Sequence, residues 1–250
     1  MIAVREWWRE ITELVLPADC AGCGRARTAL CGRCLAALTG RPAAPVRPVP
    51  SPAGLPQVRA AAPYGGEVRS VLLAHKERGA LSLARPLGTA LAGAVPGRAP
   101  GREPWLLVPV PSARRSVARR GHDPTRRIAH AAAAVLRGAG RPVRVVPALR
   151  HRRRVADQSG LPAGARAANL AGALEVAGPA GELLRSAPVV LVDDLMTTGA
   201  SLAESARSVR SVGGKVVGAA VVAAPPSAFR SRARARGAGP EPTPGARRYR

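Results

Sequence analysis

The segment VVLVDDLMTTGASL, residues 189–202, constrains the fold of this chain more than any other stretch. Four aliphatic residues, typical of a fully buried strand, run directly into two adjacent carboxylates, Asp193 and Asp194. Small and hydroxyl-bearing residues follow, and a helical pattern then begins at 200. Open parallel α/β sheets bind their ligands at such points, where a strand ends and a helix starts. The segment therefore predicts both a fold class and a ligand site.

The polar groups of this loop indicate what kind of ligand it would take. Backbone N–H groups and hydroxyls at a helix N-terminus form an anion site, and five residues supply them here: Thr197, Thr198, Gly199, Ala200 and Ser201. The two upstream carboxylates can accept hydrogen bonds from vicinal hydroxyls. A phosphate site beside a diol site describes a ribose 5-phosphate. The alternative is that the acids only cap a turn, with one of the two threonines as helix N-cap.

Strand-like and helical patterns alternate along the rest of the chain. Short apolar runs predict strands at 105–110, 143–148, 189–192 and 216–223. Helical spacing predicts helices at 70–91, with one Pro break, and at 125–137 and 200–212. This alternation predicts an α/β fold with a parallel sheet flanked by helices.

All four cysteines lie in two Cys-x-x-Cys pairs, Cys20 with Cys23 and Cys31 with Cys34. Two such pairs can bring four thiolates onto one tetrahedral centre, which suits Zn²⁺. Four protein ligands close a zinc site, so the predicted role is structural rather than catalytic. The loop between the pairs is shorter than in common zinc ribbons. A redox role for the pairs is the alternative.

The charge of the chain favours anionic partners. Its 250 residues carry 39 basic and 15 acidic side chains, a formal net charge of +24, and almost all of the bases are arginine. Arginine forks bind phosphate well. A GC-rich coding sequence would produce the same Ala, Arg, Gly and Pro excess, so the charge has two interpretations.

Nothing in the sequence predicts insertion into a membrane. No segment approaches the roughly 18 consecutive apolar residues that a membrane span requires. Charged residues interrupt the apolar N-terminal stretch, unlike a secretory signal, so that stretch is predicted to be an amphipathic helix and the protein to be cytoplasmic. The helix would dock on the body of the protein or, alternatively, bind a partner.

Composition suggests four regions. Residues 1–40 would hold the N-terminal helix and the four-cysteine zinc module, and the Pro-rich stretch 41–63 would be a linker. Residues 64–226 would form the α/β domain. The tail 227–250 is rich in Arg, Pro and Gly and poor in apolar residues, which is typical of disorder.

The opening segment resembles the phosphoribosyl pyrophosphate (PRPP) binding motif of type I phosphoribosyltransferases. Other stretches are similar to the ComF family, a branch of that fold found with bacterial DNA-uptake competence. These are the double Cys-x-x-Cys, HKERG at 75–79, VPVPSARRSVARRG at 108–121 and RRRVADQSGLPAGARAANLAGAL at 152–174. The chain departs from the family at His122-Asp123-Pro124, where Phe-Asn-Gln is usual, near Val155 and at Leu174.

The resemblance implies a role for each matching residue. Asp193 and Asp194 would be the catalytic pair that holds the ribose hydroxyls, directly or through a metal, and 197–201 would hold the 5-phosphate. Mg²⁺ would neutralise the pyrophosphate. Candidates for binding pyrophosphate or closing over the site are Lys76, Arg115, Arg119, Arg120, Gln158 and Arg166. For these basic loops, ordinary solvated surface is the alternative.

Two functions follow from the resemblance. The first is an enzyme that transfers phosphoribosyl from PRPP to an unidentified acceptor. The second is a non-catalytic module that binds PRPP or single-stranded DNA and serves DNA uptake, alone or with a protein of the competence machinery. The basic tail would bind DNA electrostatically.

Overall fold

The computed structural model describes residues 19–97, 104–152 and 172–229, and in them a six-stranded sheet forms the centre of the molecule. The strand order is β1-β2-β8-β7-β3-β4, and every neighbouring pair is parallel except β1 with β2. The bounds are β1 Ala44–Val46, β2 Val58–Pro63, β3 Trp105–Pro109, β4 Val143–Val145, β7 Val189–Leu195 and β8 Val216–Ala224. A separate antiparallel pair consists of β5 Leu149–His151 and β6 Leu174–Val176.

Seven α-helices accompany these strands within the described ranges. They are α1 Gly32–Thr39, α2 Gly66–Glu77, α3 Ala84–Ala94, α4 Arg114–Arg120, α5 Pro124–Gly138, α6 Ala180–Ser186 and α7 Ala200–Ser211. The predicted helix at 70–91 is two helices. Gly79, with φ 68°, ends the first, whereas Pro86 lies in the first turn of α3, where proline is tolerated.

Helices cover both faces of the sheet, which makes it a buried parallel sheet as predicted. Alternate residues of β7 point to opposite sides. Val190 and Val192 join a core with α3 and α5, whereas Val189 and Leu191 join a second core with α6 and α7. The aliphatic run before the two aspartates is therefore explained by burial on both sides. No helix in the described ranges is long and apolar enough to span a bilayer.

The prediction that 41–63 is a linker is wrong. This stretch supplies β1 and β2, and β2 pairs with β8 over most of its length. Ala60 and Ala62 of β2 are completely or almost completely buried. The prolines of the stretch lie outside the interior of β2, so averaging the composition over 23 positions hid a short strand free of internal proline.

The cysteine-containing segment packs against the α/β body instead of standing apart from it. Leu38 of α1 is buried in the core that α2 and α3 share. The body therefore includes residues before 64, in contrast to the predicted boundary. The predicted N-terminal helix lies outside the described residues, as does the tail from 230 onward.

Candidate functional site

The segment 189–202 lies at the carboxyl edge of the sheet. Asp193 and Asp194 are near the end of β7, whose neighbours are β3 and β8. The pairing of Pro109 with Val192 brings the end of β3 level with the acids. Chain connections at this edge leave a crevice where parallel sheets place their ligands.

Both aspartates have defined partners. Lys76 at the end of α2 donates from Nζ to Asp194 Oδ2 at 2.7 Å, and Asp194 is only 4% exposed. Asp193 Oδ1 accepts from the backbone N–H of Asp194 at 2.8 Å and from the Thr125 hydroxyl at 3.5 Å. The predicted candidate Lys76 is thus at the site, and Thr125 is an additional residue that the sequence patterns did not single out.

The two acids differ electrostatically. Burial and the neighbouring charge of Asp194 raise the pKa of Asp193 well above its ordinary value, and Lys76 only partly offsets them. Burial alone would lower the pKa of Lys76, but the charges of Asp194 and Asp193 outweigh it and raise that pKa. Lys76 therefore stays protonated and pairs with Asp194, while the Asp193 carboxylate is held in an unfavourable environment.

Asp193→Asn is expected to stabilise the free protein at neutral pH. Because the folded-state pKa of Asp193 is raised, its carboxylate costs stability above that pKa, and the cost disappears as the pH falls towards the ordinary value of 3.8. We expect the Tm to rise by at least about 2–4 °C at pH 7.5, the change that 1 kcal/mol produces in a domain of this size. Thermal melts of both proteins from pH 8 down to pH 4.5 measure it, and a Tm difference that grows on acidification would contradict it.

The loop after the acids forms a small polar cavity at the start of α7. The cavity has a volume of about 30 Å³ and is lined by residues that include Thr197, Thr198, Gly199, Ala200 and Ser201. The alternative, in which a threonine is the helix N-cap, is wrong. Gly199 is the N-cap, and the hydroxyl of Thr198 before it accepts from the Ala200 backbone N–H at 3.4 Å. The first backbone N–H groups of α7 therefore lie at this cavity.

The backbone conformation at position 199 and the close packing around it both favour glycine. Its φ of 77° is in the left-handed region, and a Cβ there would lie 3.1 Å from both methyl carbons of Leu55. Gly199→Ala is expected to cost about 1–2 kcal/mol from conformation alone and to lower the Tm accordingly. Gly138→Ala is the control, because Gly138 ends α5 with open space around it. Equal melting temperatures for the two variants would contradict the expectation.

The candidate arginines of α4 do not all face Asp193 and Asp194. Arg120 donates from Nε and Nη2 to both oxygens of Glu77, at 2.9 and 2.6 Å, and Arg119 lies 3.6 Å from the same carboxylate. Arg115 is exposed on α4. Glu77 was not singled out by sequence, although it lies in the HKERG pentapeptide beside Lys76. The predicted candidates Gln158 and Arg166 lie outside the described residues.

A larger cleft of about 530 Å³ adjoins the end of β3. Its walls are mostly apolar, with polar or charged groups at Ser112, Asp123, Arg126, Arg150 and His151. Asp123 is the N-cap of α5, two residues before the Thr125 that contacts Asp193. The size is that of a small-molecule site, and the cleft lies at the same sheet edge as the acid pair.

The four cysteines form one cluster. Their sulfurs all lie within 4.8 Å of one another, and Cys31 N–H donates to Cys20 Sγ at 3.3 Å. Burial alone would raise the pKa of Cys20, but hydrogen bonds from three backbone N–H groups outweigh it and lower the pKa to about 6. Four converging sulfurs with backbone N–H donors suit a tetrahedral metal ion such as zinc. Burial also raises the pKa of the Cys34 thiol, and this group would lose its proton on binding metal.

The C-terminal part of the chain matches a known protein family. Residues 127–233 match the family model of the phosphoribosyl transferase domain. The matched range contains the acid pair and the 197–201 loop, and it lies C-terminal to Lys76 and to the cysteine cluster. No match was found among curated proteins.

Proposed function

We propose that this chain, whose residues 127–233 match the family model of the phosphoribosyl transferase domain, binds PRPP with Mg²⁺ and transfers its phosphoribosyl group to an acceptor. The observation that carries the proposal is the joining of two subsites at the end of β7. An acid pair that can accept from a diol adjoins a helix N-terminus that can bind phosphate. The cysteine cluster beside this domain supports a ComF-like protein.

The residues of the candidate site would have different roles in this reaction. The 197–201 loop would bind the 5-phosphate, and Asp193 and Asp194 would accept hydrogen bonds from the 2- and 3-hydroxyls of the ribose. Lys76 holds Asp194 in place through the 2.7 Å hydrogen bond from its Nζ to Oδ2. When bound, Mg²⁺ would neutralise the pyrophosphate, and the carboxylate oxygens of the acid pair are ligands of the kind that Mg²⁺ prefers.

The bond changes define what the site must accommodate. The bond from C1 of the ribose to the pyrophosphate oxygen breaks, and that oxygen keeps the electron pair. A bond from C1 to the acceptor forms, and the acceptor loses a proton. We place the acceptor in the cleft beside β3, because this cleft is lined by Asp123, two residues before the Thr125 that contacts Asp193, and is large enough for a small molecule. Arg115, exposed on α4, would contribute positive charge for the leaving pyrophosphate.

Calorimetric titration of the full chain with PRPP in excess Mg²⁺ tests the binding proposal. Saturable binding is expected, and ribose 5-phosphate should compete. Absence of binding for both ligands at millimolar concentration would overturn it. A pyrophosphate-release assay across nucleobases, amines and aromatic acids then tests the transfer, since an acceptor should increase release above the rate of hydrolysis in water.

A further inference from the structure

Helix α2 connects the cysteine cluster to the acid pair. Its first turn lies at the cluster, where a Cβ on Gly22 would be 2.6 Å from Cys34 Sγ and 3.3 Å from Glu67 Cβ. Arg33 of α1 also pairs with Glu67 at 3.0 Å. The helix is 12 residues long, and its other end lies at the candidate site. At 1.5 Å per residue, the two ends are separated by about 18 Å.

The far end of α2 is fixed to the site by several contacts. Lys76 pairs with Asp194 at 2.7 Å, and Glu77 binds Arg120 through both carboxylate oxygens. His122 Nε2 lies 3.2 Å from the His75 carbonyl oxygen. A shift or rotation of α2 would therefore move the charge that faces Asp194 and the end of α4 together.

The near end of α2 depends on a module with little core of its own. The hydrophobic cluster within the module consists of Cys20, Cys31 and Cys34 packed with Leu30. Leu38 is buried in the core of the body, whereas the two cysteine loops contribute only Ala21 and Leu30, which are partly buried against that core. A bound metal would be the principal interaction holding these loops against the first turn of α2.

We infer that metal binding at the four cysteines strengthens PRPP binding at Asp193 and Asp194, and that Lys76 is the positioning residue through which the two sites are coupled. The inference rests on the proposed function. Metal would fix the loop containing Gly22 against α2, and α2 would then hold Lys76 against Asp194. The 5-phosphate loop belongs to β7 and α7, so phosphate binding should depend much less on the metal.

Two variants of Cys23, the exposed cysteine of the four, test the coupling with little change in packing. Cys23→His keeps a zinc ligand, whereas Cys23→Ser removes one. Zinc content is measured for each, and PRPP affinity is measured by calorimetry in excess Mg²⁺. We expect near wild-type affinity for C23H and a loss of roughly 5- to 150-fold for C23S, the usual range of coupling between sites. Binding of inorganic phosphate, followed by ³¹P NMR line width, should be the same in both.

The Lys76→Met variant distinguishes coupling through Lys76 from a non-specific structural effect of the Cys23→Ser substitution. If Lys76 transmits the effect, K76M and K76M/C23S should bind PRPP with equal affinity, although both bind more weakly than wild type. Equal PRPP affinities for metal-loaded C23H and metal-deficient C23S would overturn the inference, as would an undiminished C23S effect in the K76M background. Failure of wild type to bind PRPP would overturn the proposed function instead.

A reciprocal measurement keeps the inference testable if C23S does not fold. Coupling free energy is the same in both directions, so ribose 5-phosphate should raise the zinc affinity of wild type by the factor by which zinc raises affinity for ribose 5-phosphate. Competition with a zinc-binding dye measures this factor, and ribose 5-phosphate avoids the zinc chelation expected of a diphosphate. A zinc affinity that is independent of saturating ribose 5-phosphate would overturn the coupling.

Discussion

Asp194→Asn is expected to weaken PRPP binding by about 1.5–3 kcal/mol, the value of a hydrogen bond to a charged group. The variant loses the charge that would face the ribose hydroxyls in the proposed complex, and it leaves Lys76 without its carboxylate partner. Lys76 is one-third exposed, so water can solvate its ammonium group and the fold should survive. Calorimetric titration in excess Mg²⁺ gives the change in affinity directly.

Glu182→Gln provides the matched control for this experiment. It makes the same carboxylate-to-amide change at an exposed position of α6. Its PRPP affinity should equal that of wild type. If Asp194→Asn also leaves the affinity unchanged, the acid pair does not hold the ribose, and the proposed geometry of binding is wrong.

Cys34→Ser is expected to destabilise the whole described structure. Cys34 is completely buried, and its sulfur lies against Gly22 at the junction with α2. Loss of a metal ligand belongs to the small group of changes that cost more than about 4 kcal/mol. In a domain of this size the Tm should fall by roughly 8–16 °C. Calorimetric melting of metal-loaded wild type and of the variant measures the difference.

Leu35→Ala tests whether this loss is specific to the metal site. Leu35 follows Cys34 in α1 but is exposed, so its truncation should change the stability by only about 0.5 kcal/mol. The shape of the Cys34→Ser melt is equally informative. If the main transition stays at the wild-type temperature and only a small separate transition disappears, the cysteine module folds independently of the body.

Features encoded within short stretches were predictable from the sequence. The strand, acid pair, loop and helix at 189–212 follow from local patterns, and the structure has β7 and α7 in those places. The convergence of the four sulfurs likewise followed from the spacing of two cysteine pairs. In both cases the residues that define the feature are close together in the sequence.

Features that depend on distant pairing were not predictable in this way. Lys76 and Asp194 are 118 residues apart, and no local pattern identifies one as the partner of the other. The same holds for Glu77 and Arg120. β2 is short and surrounded by prolines, and its pairing with β8 makes it a strand. The docking of the cysteine module on α2 was missed because the linker was predicted from composition alone.

The position of β8 has a consequence for biosynthesis. β8 lies between β2 and β7, and Val58 near the start of the body pairs with Ala219 near its end. While the ribosome is still making the last strand, the nascent chain carries β2 and β7 with one edge each unpaired. Asp193, which pairs with Val221, then lies on an open edge. The end of β7 that carries the acid pair is therefore completed last, and until then its unpaired edge is exposed to aggregation.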